Sequence, residues 1–182
     1  MRVLIIGERV TLRALKREDS QQILEWVNNP KLKYLTGTVY PVSEVEHEKW
    51  FENKLNEKVN KIFGIEECNT KSLIGVIGLN NTDLINRNTE LYIYLGAESH
   101  WGKGLGTDAV RTLIRFVFEE LNLHRVSLVV FSYNKRAVSA YEKVGFVSEG
   151  IMRESLFKDG KYHDKILMAL INDKEKSLLL GE

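Results

Sequence analysis

The chain has 182 residues, 26 Lys+Arg against 25 Asp+Glu, one cysteine and two prolines, a size that suits one compact domain over residues 1–182 with a core of its own. A net charge of +1 argues against wrapping nucleic acid by bulk charge, and lone Cys68, with no CxxC or Cys/His cluster, excludes an internal disulfide and a zinc site. No apolar run approaches the roughly 20 residues that span a bilayer, and Met1–Ile6, cut off by Glu8 and Arg9, is too short for a signal peptide, so a cytoplasmic location is expected.

Val10–Leu15 reads as a first strand. Asp19 is placed to cap a helix with Ile23, Leu24 and Val27 at helical spacing and Trp26 alongside, stopping at Asn28-Asn29-Pro30. Pro30 and Pro41 bracket a stretch expected to be an ordered loop between two helices. Ser43 and Glu46 have capping-box spacing and open a charged helix through about Asn56. Lys61–Glu66 and Ser72–Leu79 read as strands joined by a turn near Asn69, and Thr89–Leu95 as another, with Asn80–Asn88 as a connecting loop. Thr107–Leu121 is a long amphipathic helix, and Arg125–Phe131 is a near-continuous apolar run, as expected of a strand buried on both faces. A helix over about Lys135–Val144 ends at Gly145, and Asp159-Gly160 joins Phe146–Phe157 to Lys161–Ile171 as a hairpin. This order predicts a mixed α/β sheet with helices on its faces.

The most informative segment is Trp101-Gly102-Lys103-Gly104-Leu105-Gly106-Thr107, between a strand and the long helix. Alternating glycines at a helix N-terminus let backbone approach a ligand closely, and the unpaired amides with the helix dipole suit phosphate. A P-loop would need Ser or Thr directly after Gly-Lys, where Gly104 stands, and the dinucleotide fingerprint GxGxxG would place glycine where Thr107 stands. The alternative is a glycine-rich turn that merely starts a helix.

A second segment, Asn134-Lys135-Arg136-Ala137-Val138-Ser139-Ala140-Tyr141-Glu142-Lys143-Val144-Gly145-Phe146, changes that balance. Together with the glycine loop, its preceding strand and Arg125–Phe131, it resembles the GNAT superfamily of acetyl-CoA-dependent N-acetyltransferases, in the branch of the RimJ/RimL-type protein N-terminal acetyltransferases and the spermidine acetyltransferases. The resemblance runs from Thr11–Leu15 to the terminal hairpin, and it implies the GNAT fold, an α/β (α+β type) structure with a mixed, mostly antiparallel central sheet and helices on both faces. One departure is Trp101, where the superfamily usually has Gln or Arg.

The resemblance implies that acetyl-CoA is the co-substrate, with no metal, and that its pyrophosphate sits on the amides of Gly102, Lys103, Gly104, Leu105, Gly106 and Thr107, beside Trp101. The pantetheine arm would pair with Leu95 and Gly96, and Asn134 would contact the cofactor. Lys103, Lys135 and Arg136 are candidates for the outer phosphates, or else solvated surface charges. Tyr141 matches the family's general acid, donating to the leaving sulfur, or else is a packed helix-face aromatic, and a backbone amide at Leu95 or Gly96 would polarise the thioester carbonyl. Glu90 is the candidate base; it shares a strand face with Tyr92 and Tyr94, and its alternative is a solvent-facing strand terminus. His100, His124 and His163 are not selected as catalytic.

Acceptor choice is expected in Lys33–Tyr40, the Asn80–Asn88 loop and the hairpin Arg153–Asp164. Because Pro30–Pro41 carries no acidic residue, a protein N-terminal amine, an amino sugar or another small primary amine is expected ahead of a polyamine, the alternative acceptor. A catalytically silent CoA-binding sensor is the alternative from another class. The expected partners are acetyl-CoA and an amine, with a homodimer left open, and neither nucleic acid nor a membrane.

Overall fold

Strands of alternating apolar residues leave two sheet faces to cover, and this chain places helices on each. The computed structural model describes residues 4–173. The elements run β1 (Ile5–Ile6), β2 (Val10–Ala14), α1 (Asp19–Asn28), α2 (Pro30–Thr36), α3 (Glu44–Asn56), β3 (Ile62–Glu67), β4 (Leu73–Asp83), β5 (Asn88–Leu95), α4 (Leu105–Glu119), β6 (Arg125–Phe131), α5 (Lys135–Val144), β7 (Val147–Lys158) and β8 (Lys161–Ile171), with a 3-10 turn at Glu98–His100. The described strands form one eight-stranded sheet in the order β1-β2-β3-β4-β5-β6-β8-β7. Every neighbouring pair is antiparallel except β5–β6.

Two apolar layers result. On one face Ala109, Val110, Leu113 and Val117 of α4 pack with Val10, Ile74, Leu91, Val126 and Met168 from the sheet. On the other, Ile23 and Trp26 of α1, Leu32 of α2 and Phe51 of α3 pack on Ile62, Leu73 and Val76. The period-two reading of β5 holds: Leu91, Ile93 and Leu95 join the α4 layer, whereas Tyr92 and Tyr94 join the other.

Local chemistry explains the helix ends. Ser43 and Glu46 form the expected capping box on α3. The Asn134 side chain accepts from the Ala137 amide at the start of α5, and left-handed Gly145 ends it.

Five expectations need correction. The Pro30–Pro41 stretch is not all loop, because Asn29 caps, Pro30 fills the first helical position and left-handed Gly37 closes the short helix α2. Asp19 does not cap α1; it lies one residue inside, where its carboxylate accepts from the Lys16 amide at 2.7 Å and grips Arg13. The connection expected over Asn80–Asn88 is shorter, a turn over 84–87, because β4 runs on to Asp83 and β5 begins at Asn88 with an irregularity in register. Helix α4 begins at Leu105, inside the glycine loop. Strand β6 is buried on one face only, with Val129 51% exposed, because α1, α2 and α3 cover the β2–β5 half of the sheet.

The Arg13 guanidinium donates to both Asp19 oxygens, at 2.8 and 3.0 Å, and to Glu66 at 2.9 Å, tying β2 to α1 and β3. Burial by itself would raise the Asp19 pKa, but Arg13 and the Lys16 amide outweigh it and hold the carboxyl below its usual range. A lowered folded pKa contributes stability above the unfolded value and loses it as pH falls through the folded value. Asp19→Ala is expected to cost about 3 kcal/mol in urea unfolding at pH 7, and the penalty should shrink below about pH 4.

Candidate active site

Strands β5 and β6 are hydrogen-bonded only between Asn88–Glu90 and Arg125–Ser127. Beyond that point they part, and a cavity of about 520 Å³ opens between them. Its walls are Leu91–Leu95 of β5, Val129–Phe131 of β6, the start of α4 and one face of α5, and Leu32, Leu35 and Thr36 of α2 close one end. Such a volume suits a small-molecule site.

The splayed strand presents backbone. The Gly96 amide is donated to the Ile74 carbonyl at 2.9 Å, so it is not the donor for a ligand. Successive residues of a strand turn their amides to opposite edges, so the amide and carbonyl of Leu95 face the split. The Trp101 indole donates to that carbonyl at 2.8 Å, which leaves the Leu95 amide aimed at the cavity. Trp101 thus has a role that its departure from the usual loop sequence did not reveal. Arg136 lies over its ring, 4.6 Å from the centroid.

The glycine loop continues the same wall. Gly102 and Gly104 are left-handed, at φ 74° and 80°. Gly104 is the residue before α4, and its carbonyl accepts the first helical bond, from the Asp108 amide at 3.0 Å. The amides of Leu105, Gly106 and Thr107 therefore have no acceptor within the helix, and the dipole adds to their pull on an anion. A Cβ on Gly102 would meet nothing within 4 Å, so the loop is open on its outer side. The Leu105 side chain instead packs in the core and contributes backbone only.

Asn134, Arg136 and Tyr141 all line the cavity, as do Leu95, Trp101, Gly102, Gly104, Gly106 and Thr107. Asn134 uses its carbonyl oxygen on the Ala137 amide, so its side-chain NH2 is the group left for a ligand. Tyr141 stands on α5, buried, with its ring 5.9 Å from that of Phe146. Burial pushes its phenol up to about 12, so it holds its proton at neutral pH.

Glu90, Gly96 and Lys103 are not brought to the cavity wall. Gly96 packs on Trp26, and Lys103 is exposed. Glu90 is exposed near the start of β5, where β6 is still paired, and accepts from Asn81 at 3.0 Å. No Asp or Glu lines the cavity among the described residues; its charged side chains are Arg136 and Lys143, with His100 beside them. Of the expected acceptor segments, only α2 reaches this cavity. The hairpin instead contributes Phe157, Lys158 and Asp159 to a second, more open cavity of about 410 Å³ with Pro30, Lys33 and Val39.

Sequence reasoning missed the aromatic run Phe131–Tyr133–Tyr34, with centroids 5.4 and 4.8 Å apart, in which the Tyr133 hydroxyl donates to the Tyr34 carbonyl at 2.6 Å. Asn29-Pro30 and Gly37, read together as helix punctuation, were the available signal for α2 beside it.

Known proteins share this fold. Residues 9–147 match the family described as Acetyltransferase (GNAT) domain. A Bacillus subtilis (strain 168) protein provisionally assigned to ribosomal N-acetylation is 31% identical over 91% of this chain and 93% of its own. Spermidine N(1)-acetyltransferase of Vibrio cholerae serotype O1 is 32% identical over 93% and 96%. The crystal structure of the Vibrio cholerae spermidine N-acetyltransferase with CoA and spermine superposes with a TM-score of 0.85, at 32% identity, covering 92% of this chain and 98% of that one. A dodecameric structure of that enzyme in an intermediate state gives 0.77 at 31%, covering 93% and 97%.

Two glycines, Gly96 behind the cavity and Gly102 in its wall, should respond differently to a methyl group. A Cβ on Gly96 would fall 1.8 Å from the Trp26 ring, so Gly96→Ala is expected to lower Tm by about 5 °C through overpacking. Gly102→Ala meets open space and should cost only the backbone strain of its positive φ, about 1 kcal/mol. Calorimetry on the two variants checks the order.

Proposed function

This chain belongs to the acetyltransferase (GNAT) family, and we propose that the amine it acetylates is a protein N-terminus, an amino sugar or another small amine rather than a polyamine. The reaction is that of an acetyl-CoA-dependent N-acetyltransferase, in which the thioester supplies the acetyl group. The observation that carries the acceptor reading is the cavity wall, which holds no carboxylate among the described residues. A polyamine would bring several positive charges beside Arg136 and Lys143 with no counter-charge, and burying unpaired charge is costly.

The residues present fit acetyl-CoA. The Leu95 amide would hold the thioester carbonyl oxygen or the pantetheine arm, the amides at the start of α4 the diphosphate, and the Asn134 side-chain NH2 the cofactor. Tyr141 carries the proton that the departing sulfur needs. Glu90 lies outside the cavity wall, so this reading leaves removal of the amine proton to water. That suits an α-amine of pKa about 7.7–8.0, of which roughly a tenth is neutral at pH 7. A lysine-like amine near 10.4 would be neutral in only about one part in a few thousand.

A second reading, polyamine acetylation, is favoured by the likeness to spermidine acetyltransferases over nine-tenths of the chain. A homo-oligomer is also proposed. Its support is the dodecameric relative and the twelve-residue edge strand β7, which leaves Val147, Ile151 and Met152 exposed.

Release of free CoA across N-terminal peptides, amino sugars, small amines and spermidine tests the acceptor class. Turnover is expected with the first three, and spermidine outpacing them would replace this reading by the second. Tight acetyl-CoA binding with no turnover on any amine would indicate a sensor. Tyr141→Phe should lower kcat at least about tenfold and leave acetyl-CoA affinity nearly unchanged. Because the phenol keeps its proton until pH approaches its raised pKa, wild-type kcat should show no alkaline fall from this residue below about pH 10.

A further inference from the structure

The first turn of α4 is tied to a segment far away in sequence. The buried Asp108 carboxylate accepts from the Arg9 amide at 2.9 Å and the Val10 amide at 3.1 Å through one oxygen, Oδ2. The Arg9 carbonyl in turn accepts from the Cys68 amide at 3.0 Å, so the backbone at Arg9 is fixed from both sides. From that anchorage the Arg9 guanidinium reaches back and donates to the Lys103 carbonyl. A closed ring of interactions results, running from the Arg9 amide through Asp108, α4, Gly104 and Lys103 to the Arg9 side chain.

Nothing in the anion-binding reading of the loop explains this ring, because a loop that only wraps a phosphate has no need of a cation behind it. The peptide bond joining Lys103 to Gly104 supplies a reason. In a trans peptide the carbonyl and the following amide point in opposite directions. Turning the Lys103 carbonyl toward Arg9 therefore turns the Gly104 amide away from it. Gly104 lines the cavity and Lys103 does not, so that direction is toward the ligand. Without a clasp, Gly102 and Gly104 have wide conformational freedom, and the amide would spend its time in several orientations. A Cβ at Gly104 would stand 3.4 Å from the Arg9 guanidinium, which places the clasp directly behind this peptide.

We propose that Arg9 is a positioning residue that holds the Gly104 amide toward the diphosphate of acetyl-CoA, acting through the Lys103 carbonyl. The proposal rests on the reading that the glycine loop takes the diphosphate. Asp108 serves the same end one step further back, spending its charge on the backbone that carries Arg9. The effect is preorganisation: the loop is already in its binding form before the donor arrives, so less ordering is required on association.

The test compares two donors, acetyl-CoA and acetyl-pantetheine, a thioester that lacks the nucleotide diphosphate. In Arg9→Ala the KM for acetyl-CoA should rise about tenfold with kcat unchanged, because the Gly104 amide must then be ordered on association, while kcat/KM for acetyl-pantetheine stays at the wild-type value. Equal losses with both donors would mean general damage to the fold, and no change with either would mean that Arg9 positions nothing; each overturns the proposal. The ratio between variant and wild type should also persist in about 1 M salt, where the screening length is near 3 Å, and a penalty that vanishes there would replace positioning by long-range attraction. The wild type keeps the two failures apart. If it shows no preference for acetyl-CoA over acetyl-pantetheine, the loop reading itself falls and takes this proposal with it. If the preference is present and is undiminished in Arg9→Ala, only the role of Arg9 falls.

Discussion

Everything at the candidate site depends on two parallel strands that stop pairing. Strands β5 and β6 share a ladder over Asn88–Glu90 and Arg125–Ser127 and then separate, although both continue. A sheet interior that parts in this way leaves main-chain donors and acceptors without neighbours, and such groups demand partners. The Trp101 indole supplies one, to the Leu95 carbonyl, and a bound molecule running along the slot would supply others. The cavity, its depth and the identity of the amides that face it all follow from where the ladder ends.

The electrostatics of the slot come from backbone more than from side chains. Between His100 and Lys143 there are seven Lys and Arg against four Asp and Glu, a local surplus in a chain of net charge +1. Yet Lys103 stays in solvent, Lys135 does not line the cavity, and Arg136 is spent partly on the Trp101 ring. The unpaired amides at the start of α4 and the helix dipole are left to attract an anion, and they are unaffected by a neutral overall balance. At the other end of the cavity, Leu32 and Leu35 of α2 and the buried Tyr141 phenol set a site without carboxylates among the described residues. Burial that keeps Tyr141 protonated also makes any uncompensated positive charge on an acceptor expensive there.

Rigid supports surround the slot. Arg13, Asp19 and Glu66 join β2, α1 and β3, and Asp108 joins the start of α4 to the segment before β2. In both clusters a buried carboxylate accepts at least two hydrogen bonds, which offsets the cost of burying it. The chain segments they hold are remote in sequence, so the loop geometry at Gly104 depends on residues some hundred positions earlier.

Local rules made much of this legible. The capping box of Ser43 and Glu46, the Gly145 stop, the Asp159-Gly160 hairpin and the face alternation of Leu91 through Leu95 each depend on neighbours within a few residues, and each stands as expected. The glycine loop and the Asn134–Phe146 run likewise identified the family, because their chemistry is carried by backbone and by contiguous residues. What the sequence could not give was decided by pairing across long distances. Whether the Gly96 amide was free depended on Ile74 of the next strand, and the place of Glu90 depended on how far β6 stays beside β5. The open face of β6 depended on which strands α1, α2 and α3 cover, and the orientation of the Gly104 amide on Arg9. Periodicity and capping are set by bonds a few residues apart, which a sequence displays directly. Which edge of a strand is left bare is set by the strand that fails to lie beside it, and only the tertiary structure records that.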